Sequence, residues 1–254
     1  MDQLVAAVDG SASTGPVLDA AREIAPMFAD ELIALTVCEG NPAQSVVELA
    51  HSHEARLVVR RGDPVAEIVD ATLDDEVRGI VIGSRGLPTS HRPIGSTALA
   101  VIQAVAKPVV VVPPNARIDT ARRHRLLVPL DGTGETAQAV QTLLRRLVED
   151  VELDVVALHV FDATDMPAFS DQPGHETDAW RDEFLSRWLP IGRQHVTLET
   201  RVGRPAEAVP RVARDVGADV VAIGWKHNLA PGRARVVTSL LADSELPVVL
   251  VSAA

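Results

Sequence analysis

Cysteine is nearly absent: Cys38 stands alone in 254 residues, so no internal disulfide can form and a reducing compartment is the expected setting. No leader is expected either, because Met1 runs straight into the strand-like Leu4–Val8 with neither a basic n-region nor a long apolar h-region. These absences make the cytoplasm the expected location. Gly, Pro or charge interrupts each apolar run within about eight residues, well short of the roughly 18–20 that span a bilayer, so no membrane partner is expected. Positive charge is in deficit, with 24 Lys and Arg against 35 Asp and Glu and a formal net charge of −11. Such a chain repels a polyanion, so nucleic acid is excluded as an expected partner, and any phosphate-bearing ligand has to be held by local geometry. Catalytic signatures are lacking too: there is no Gly-x-Ser-x-Gly elbow, no Gly-x4-Gly-Lys-Ser/Thr loop and no Ser/His/Asp ordering in a fitting context. Nothing marks a dedicated catalyst.

Apolar residues, by contrast, make up 46% of the chain against 23% charged, enough for buried cores and too much for disorder. The length suits two compact domains, and an internal repeat supports that division. Leu4-Val-Ala-Ala-Val-Asp9-Gly10 and Leu126-Leu-Val-Pro-Leu-Asp131-Gly132 are both apolar runs ending in Asp-Gly. Further on, Gly62-Asp-Pro64 matches Gly203-Arg-Pro205, Ile80-Val-Ile-Gly83 matches Val221-Ala-Ile-Gly224, and Lys107-Pro108 before four valines matches Leu246-Pro247 before a similar run. The offset is 122 at Asp-Gly, 141 at Gly-x-Pro and the later Gly, and 139 at the final Pro. The second copy therefore carries its insertion early, between Val160 and Val196.

Within each copy, short Val-, Ile- and Leu-rich runs read as strands buried on both faces of a parallel sheet. Thr14–Ala25, Pro42–Ala55, Pro64–Leu73 and Ser96–Val105 carry apolar residues at helical spacing, with helix-start chemistry at Ser13, Asp63 and Gly95-Ser96. Alternating strands and helices predict a doubly wound α/β sheet, whose ligands bind outside the carboxyl ends of the strands, here at Asp9, Val37 and Gly83. Arg117–Arg125, preceded by Pro113-Pro114, reads as the connector between the domains.

After the fourth strand comes a loop framed by Gly83, Gly86 and Gly95 that leads into a helix at Ser96. Glycine permits positive φ and close backbone approach, and free amides at a helix start donate to phosphate oxygens. Ser96 and Thr97 add hydroxyls, while Arg85 and Arg92 supply positive charge. The same residues also suit a strand end, a turn and a helix cap, so the glycine pattern alone leaves both readings open.

At these residues the sequence resembles the universal stress protein family, over nearly the whole chain, and is similar to its tandem members. Gly83, Gly86, Gly95 and Ser96 match the nucleotide-binding branch's Gly-x2-Gly-x9-Gly-Ser/Thr with an eight-residue spacer in place of nine. The Val8-Asp-Gly-Ser11 opening, Leu35-Thr-Val37 and the Lys107-Pro108 ending also fit. The resemblance implies two Rossmann-like, adenine nucleotide alpha hydrolase-like domains, at residues 1–118 and 124–254. It implies ATP, or AMP or ADP, with Mg²⁺ bridging phosphate oxygens. Asp9 and the Val37 backbone would meet the nucleoside, and the Gly83–Thr97 loop the phosphates. Family members pair through their last strands, so the tandem chain is expected to form its own pseudo-dimer, with a homodimer as a further assembly. The shorter spacer, and Ala98 where binding members place another hydroxyl, keep open a second reading: a nucleotide-free protein-interaction module. Slow ATP hydrolysis ranks third, as no base beyond Asp9 is evident.

The second copy departs further. Gly224-Trp-Lys-His227 puts His at the second glycine, and Ala234-Arg235 stands where the first copy has Gly95-Ser96, so its phosphate cradle reads as lost and the copy as a structural partner. Trp180 and Trp188, at helical spacing with Phe184 and Leu185 between them, read as packing within the insertion. His51 and His53 read as a solvated helix end, Asp74-Asp-Glu76 as a charged loop and Cys38 as a small buried hydrophobe.

Overall fold

The inner strands are covered on both faces, which is why they read as continuous rather than alternating, whereas the edge strands Arg56–Arg60 and Val196–Val202 are largely half-buried or exposed. The computed structural model describes residues 1–85, 94–116, 124–150, 153–161, 174–191, 196–230 and 234–253. The first half runs β1 (Gln3–Val8), α1 (Thr14–Phe28), β2 (Glu31–Val37), α2 (Gln44–Ser52), β3 (Arg56–Arg60), α3 (Pro64–Ala71), β4 (Val77–Gly83), α4 (Ser96–Ala104) and β5 (Val109–Val112). The second half repeats the order with β6 (His124–Pro129), α5 (Gly134–Asp150), β7 (Leu153–Phe161), α6 (Gly174–Trp188), β8 (Val196–Val202), α7 (Pro205–Asp215), β9 (Val220–Trp225), α8 (Arg235–Asp243) and β10 (Val248–Ser252).

All ten strands form one sheet in the order β3-β2-β1-β4-β5-β10-β9-β6-β7-β8. Every pairing is parallel except the central one, where β5 and β10 run antiparallel with Val249 opposite Val110. The last strand of each half thus joins the two. Alternate residues divide between two cores: Leu4, Ala6 and Val8 face α1, α2, α5 and α6, whereas Val5 faces α3, α4, α7 and α8. Both cores draw buried residues from both halves, so hydrophobic burial, worth about 25 cal/mol per Å² of apolar surface, is shared across the seam.

Local chemistry explains the start of α3. Asp63 accepts a hydrogen bond from the Ala66 amide at 2.9 Å, with Pro64 at the first helical position of α3. Ser13, expected to cap α1, makes no cap bond; its amide instead donates to Ser11 Oγ. The α1 helix also passes the end expected at Ala25 and runs through Pro26 to Phe28. The carbonyl bond that Pro26 forgoes is offset by burying Phe28 in the core. The strand β6 begins at His124, so Arg125 belongs to it and not to a connector; residues 117–123 lie outside the described set. Arg125 is held there by its amide, which donates to the buried Asp219 at 2.8 Å. Among the described residues no helix is long and apolar enough to cross a membrane.

In the second half α5 packs closely on the end of β9. A β-carbon on Gly224 would lie 2.6 Å from the Thr136 carbonyl oxygen and 3.0 Å from its Cα. Gly224→Ala is expected to lower the unfolding free energy by about 1–3 kcal/mol, the cost of an overpacked contact against backbone, as read by denaturant unfolding. An unchanged midpoint would show that α5 can withdraw freely.

Candidate functional site

The carboxyl ends of β1, β2 and β4 and the start of α4 enclose a cavity of about 330 Å³. Asp9, Val37, Gly83, Arg85, Gly95, Ser96 and Thr97 all line it, so seven of the eight residues singled out in the sequence converge. The eighth, Gly86, lies outside the described residues, as does Arg92. Leu35, Ile68, Ile82 and Val101 give the cavity an apolar floor, while its polar groups gather where α4 starts and β1 ends.

Sequence positions set each of these groups. Asp9 follows β1, and its Oδ1 accepts from the Ser11 amide at 3.0 Å, a local turn that aims the carboxylate. Gly10 has φ +75°, as its counterpart Gly132 has φ +79°, so the repeated Asp-Gly is a backbone requirement. The Gly10 amide donates to Thr14 Oγ1 at 3.1 Å, fixing the loop onto α1. At the other side, Gly95 is the N-cap of α4 with φ −70° and ψ 153°, and no side chain caps that helix. The first-turn amides from Ser96 to Ala98 therefore have no intrahelical acceptor, and all three residues line the cavity.

The expectation that these glycines serve positive φ is corrected: among the described residues neither Gly83 nor Gly95 adopts it. Gly83 is needed for space, since a β-carbon there would lie 3.0 Å from the Arg85 carbonyl oxygen and 3.4 Å from Ser13 and Val17. Ala98 is buried, and as a wall residue it contributes no hydroxyl. Cys38, expected to be buried, is half-buried and donates through Sγ to the Gly40 carbonyl at 3.3 Å. His53 closes α2: one ring nitrogen lies 2.7 Å from the Leu49 carbonyl and the other 2.8 Å from Asp19, so it ties two helices together and is not a solvated end.

Sequence reasoning missed Ser13, Thr14, Pro64 and Ile68 as lining residues. A signal was there: Gly-x-Pro recurs in both copies, and Pro205 and Val209 line the second cavity as Pro64 and Ile68 line the first. The second cavity holds about 970 Å³ at the equivalent ends of β6, β7 and β9. His227, in the place of Gly86, stacks on Trp225 with ring centroids 4.4 Å apart. His227 (φ +50°) and Ala234 (φ +44°) both take the left-handed conformation without being glycine. That geometry costs a non-glycine residue about 1–2 kcal/mol. Ala234→Gly is expected to raise stability by about 0.5–1 kcal/mol after glycine's extra chain entropy, and Ala234→Val to lower it by about 1–2 kcal/mol. Opposite signs in denaturant midpoints check this; equal losses would refute it.

Trp180 and Trp188 pack on the core as expected, Trp180 against Phe161 at 5.3 Å and Phe184 at 5.1 Å between ring centroids. Glu76 of the charged loop binds the Met1 amino group at 3.0 Å, and Asp74 accepts from the Glu76 amide.

Comparison with known proteins agrees with the fold. The model of the universal stress protein family matches residues 47–113 and 122–252. No curated protein matches the chain. Among solved structures, a universal stress protein from Archaeoglobus fulgidus DSM 4304 is similar over 99% of this chain and 98% of its own, with a TM-score of 0.70 at 16% identity. A functionally unknown protein from Pseudomonas aeruginosa PAO1 is similar over 100% and 93%, with a TM-score of 0.68 at 12% identity. At these identities the structures speak for the fold alone, whereas the family model covers well over half of the sequence. The chain therefore belongs to the universal stress protein family, as a tandem member with two of its domains in one continuous sheet.

Proposed function

We propose that the first half binds one adenine nucleotide, ATP or its AMP and ADP relatives, and that the second half completes an intramolecular pseudo-dimer around it. The observation that carries this reading is the convergence of Asp9, Val37, Gly83, Arg85 and the uncapped start of α4 on one cavity with an apolar floor. The floor suits a purine, Asp9 suits ribose hydroxyls, and the amides of Ser96 to Ala98 with Arg85 suit phosphate oxygens. Among the described residues no group of three or more His, Cys, Asp or Glu is placed to hold a metal ion, so Mg²⁺ is expected to arrive on the phosphates. The antiparallel β5–β10 pairing supports the pseudo-dimer. We place the domains at residues 1–118 and 124–254, and the protein in the cytoplasm, where an unpaired Cys38 is at home.

Purified protein, denatured and chromatographed, is expected to release an adenine nucleotide, or failing that to bind added MgATP with low-micromolar affinity. No release together with no binding at millimolar MgATP would leave a nucleotide-free interaction module in its place.

A further inference from the structure

The two cavities share a floor and differ at one end. By chain offset Ser13 corresponds to Glu135 and Arg85 to Lys226. Strand register supports both equivalences: Leu4 pairs with Gly79 as Leu126 pairs with Val220, and Gly83 pairs with Val112 as Gly224 pairs with Val251. In the first half, then, the position of Glu135 is held by the neutral Ser13, and Ser13 and Arg85 both line the cavity. In the second half the Lys226 ammonium is in contact with the Glu135 carboxylate. Its hydrogen bond to Glu135 holds the ammonium above the ordinary lysine range, and the nearby Asp131 charge adds to the effect. Arg204, a second cation of this cavity, is likewise paired, with Glu207 at 3.4 Å.

A cation already matched to a carboxylate has little to offer a phosphate, and an incoming polyanion would also meet the repulsion of Glu135 and Asp131. We propose that Glu135 is the specificity-determining residue at the Lys226 end of the second cavity: by pairing with Lys226 it neutralises the counterpart of Arg85, so this end disfavours phosphate even though Arg235 also lines the cavity at the start of α8. The inference rests on the reading that phosphates lie at the Arg85 end of the first cavity.

The chain offers a clean reporter, since Lys107 and Lys226 are its two lysines. Lys107 donates to the Asp74 carbonyl at the opposite end of β4 and serves as the internal control. In full-length protein labelled with ¹³C-lysine, inorganic triphosphate is expected to leave both ¹³Cε signals unmoved. In Glu135→Ser, and in Glu135→Gln, which keeps the shape and removes the charge, the Lys226 signal is expected to move saturably while Lys107 stays still. The affinity gain should be about tenfold or more, the scale of one hydrogen bond made to a charged group. A wild-type Lys226 signal that moves at the same triphosphate concentrations, or a signal that stays still in both folded variants, would overturn the proposal. The first cavity contains no lysine, so its occupancy does not enter this readout and failure of the nucleotide reading is scored separately.

Discussion

Gly95→Val is expected to abolish nucleotide binding by the first half while leaving the protein folded. The backbone at Gly95 is extended, a conformation valine accepts, and its amide donates to the Ser84 carbonyl at 2.8 Å, a bond that the substitution retains. The added methyls would stand at the uncapped start of α4, over the amides proposed to meet the phosphates. Losing two hydrogen bonds to charged oxygens, each worth about 1.5–3 kcal/mol, corresponds to a loss of about a hundredfold or more in affinity. Ala234→Val, at the equivalent place in the second half, is expected to leave nucleotide affinity unchanged even as it lowers stability. Calorimetric titration with MgATP compares the two, and equal losses of affinity would refute the asymmetry between the halves.

Leu250→Ala is expected to destabilise both halves together, by about 2–5 kcal/mol, the cost of a large-to-small change in a packed core. Leu250 is fully buried on β10, pairs with Val109 across the antiparallel seam and with Ile223 on its other side, and belongs to the core that contains buried residues of both halves. The three tryptophans, Trp180, Trp188 and Trp225, all lie in the second half, so their fluorescence reports that half alone, whereas far-UV circular dichroism reports the whole sheet. Coincident transitions, shifted together by the substitution, are the expected result. Two separated transitions, with only the fluorescence one shifted, would show that the seam does not couple the halves.

Much of this architecture was legible in the sequence because its landmarks are backbone requirements. Gly10 and Gly132 need positive φ, and Gly83 and Gly224 lie against the first turn of a helix, so the repeat survives where side chains have drifted. Seven of the eight residues singled out in the sequence line one cavity, since a doubly wound sheet brings its strand ends to one side whatever lies between them. What periodicity could not supply was tertiary. The α1 helix passes Pro26 as Phe28 finds the core, and Ser13 makes no side-chain cap bond while its amide donates to Ser11 Oγ. The ion pair of Glu135 and Lys226 joins residues 91 positions apart in the chain, and only the fold places them together.

The most direct test of the account is the number of nucleotides bound per chain, measured by calorimetry with MgATP on protein stripped of any ligand. One nucleotide per chain, lost in Gly95→Val and retained in Ala234→Val, is the predicted result. Two nucleotides per chain, or none at millimolar concentration, would contradict it.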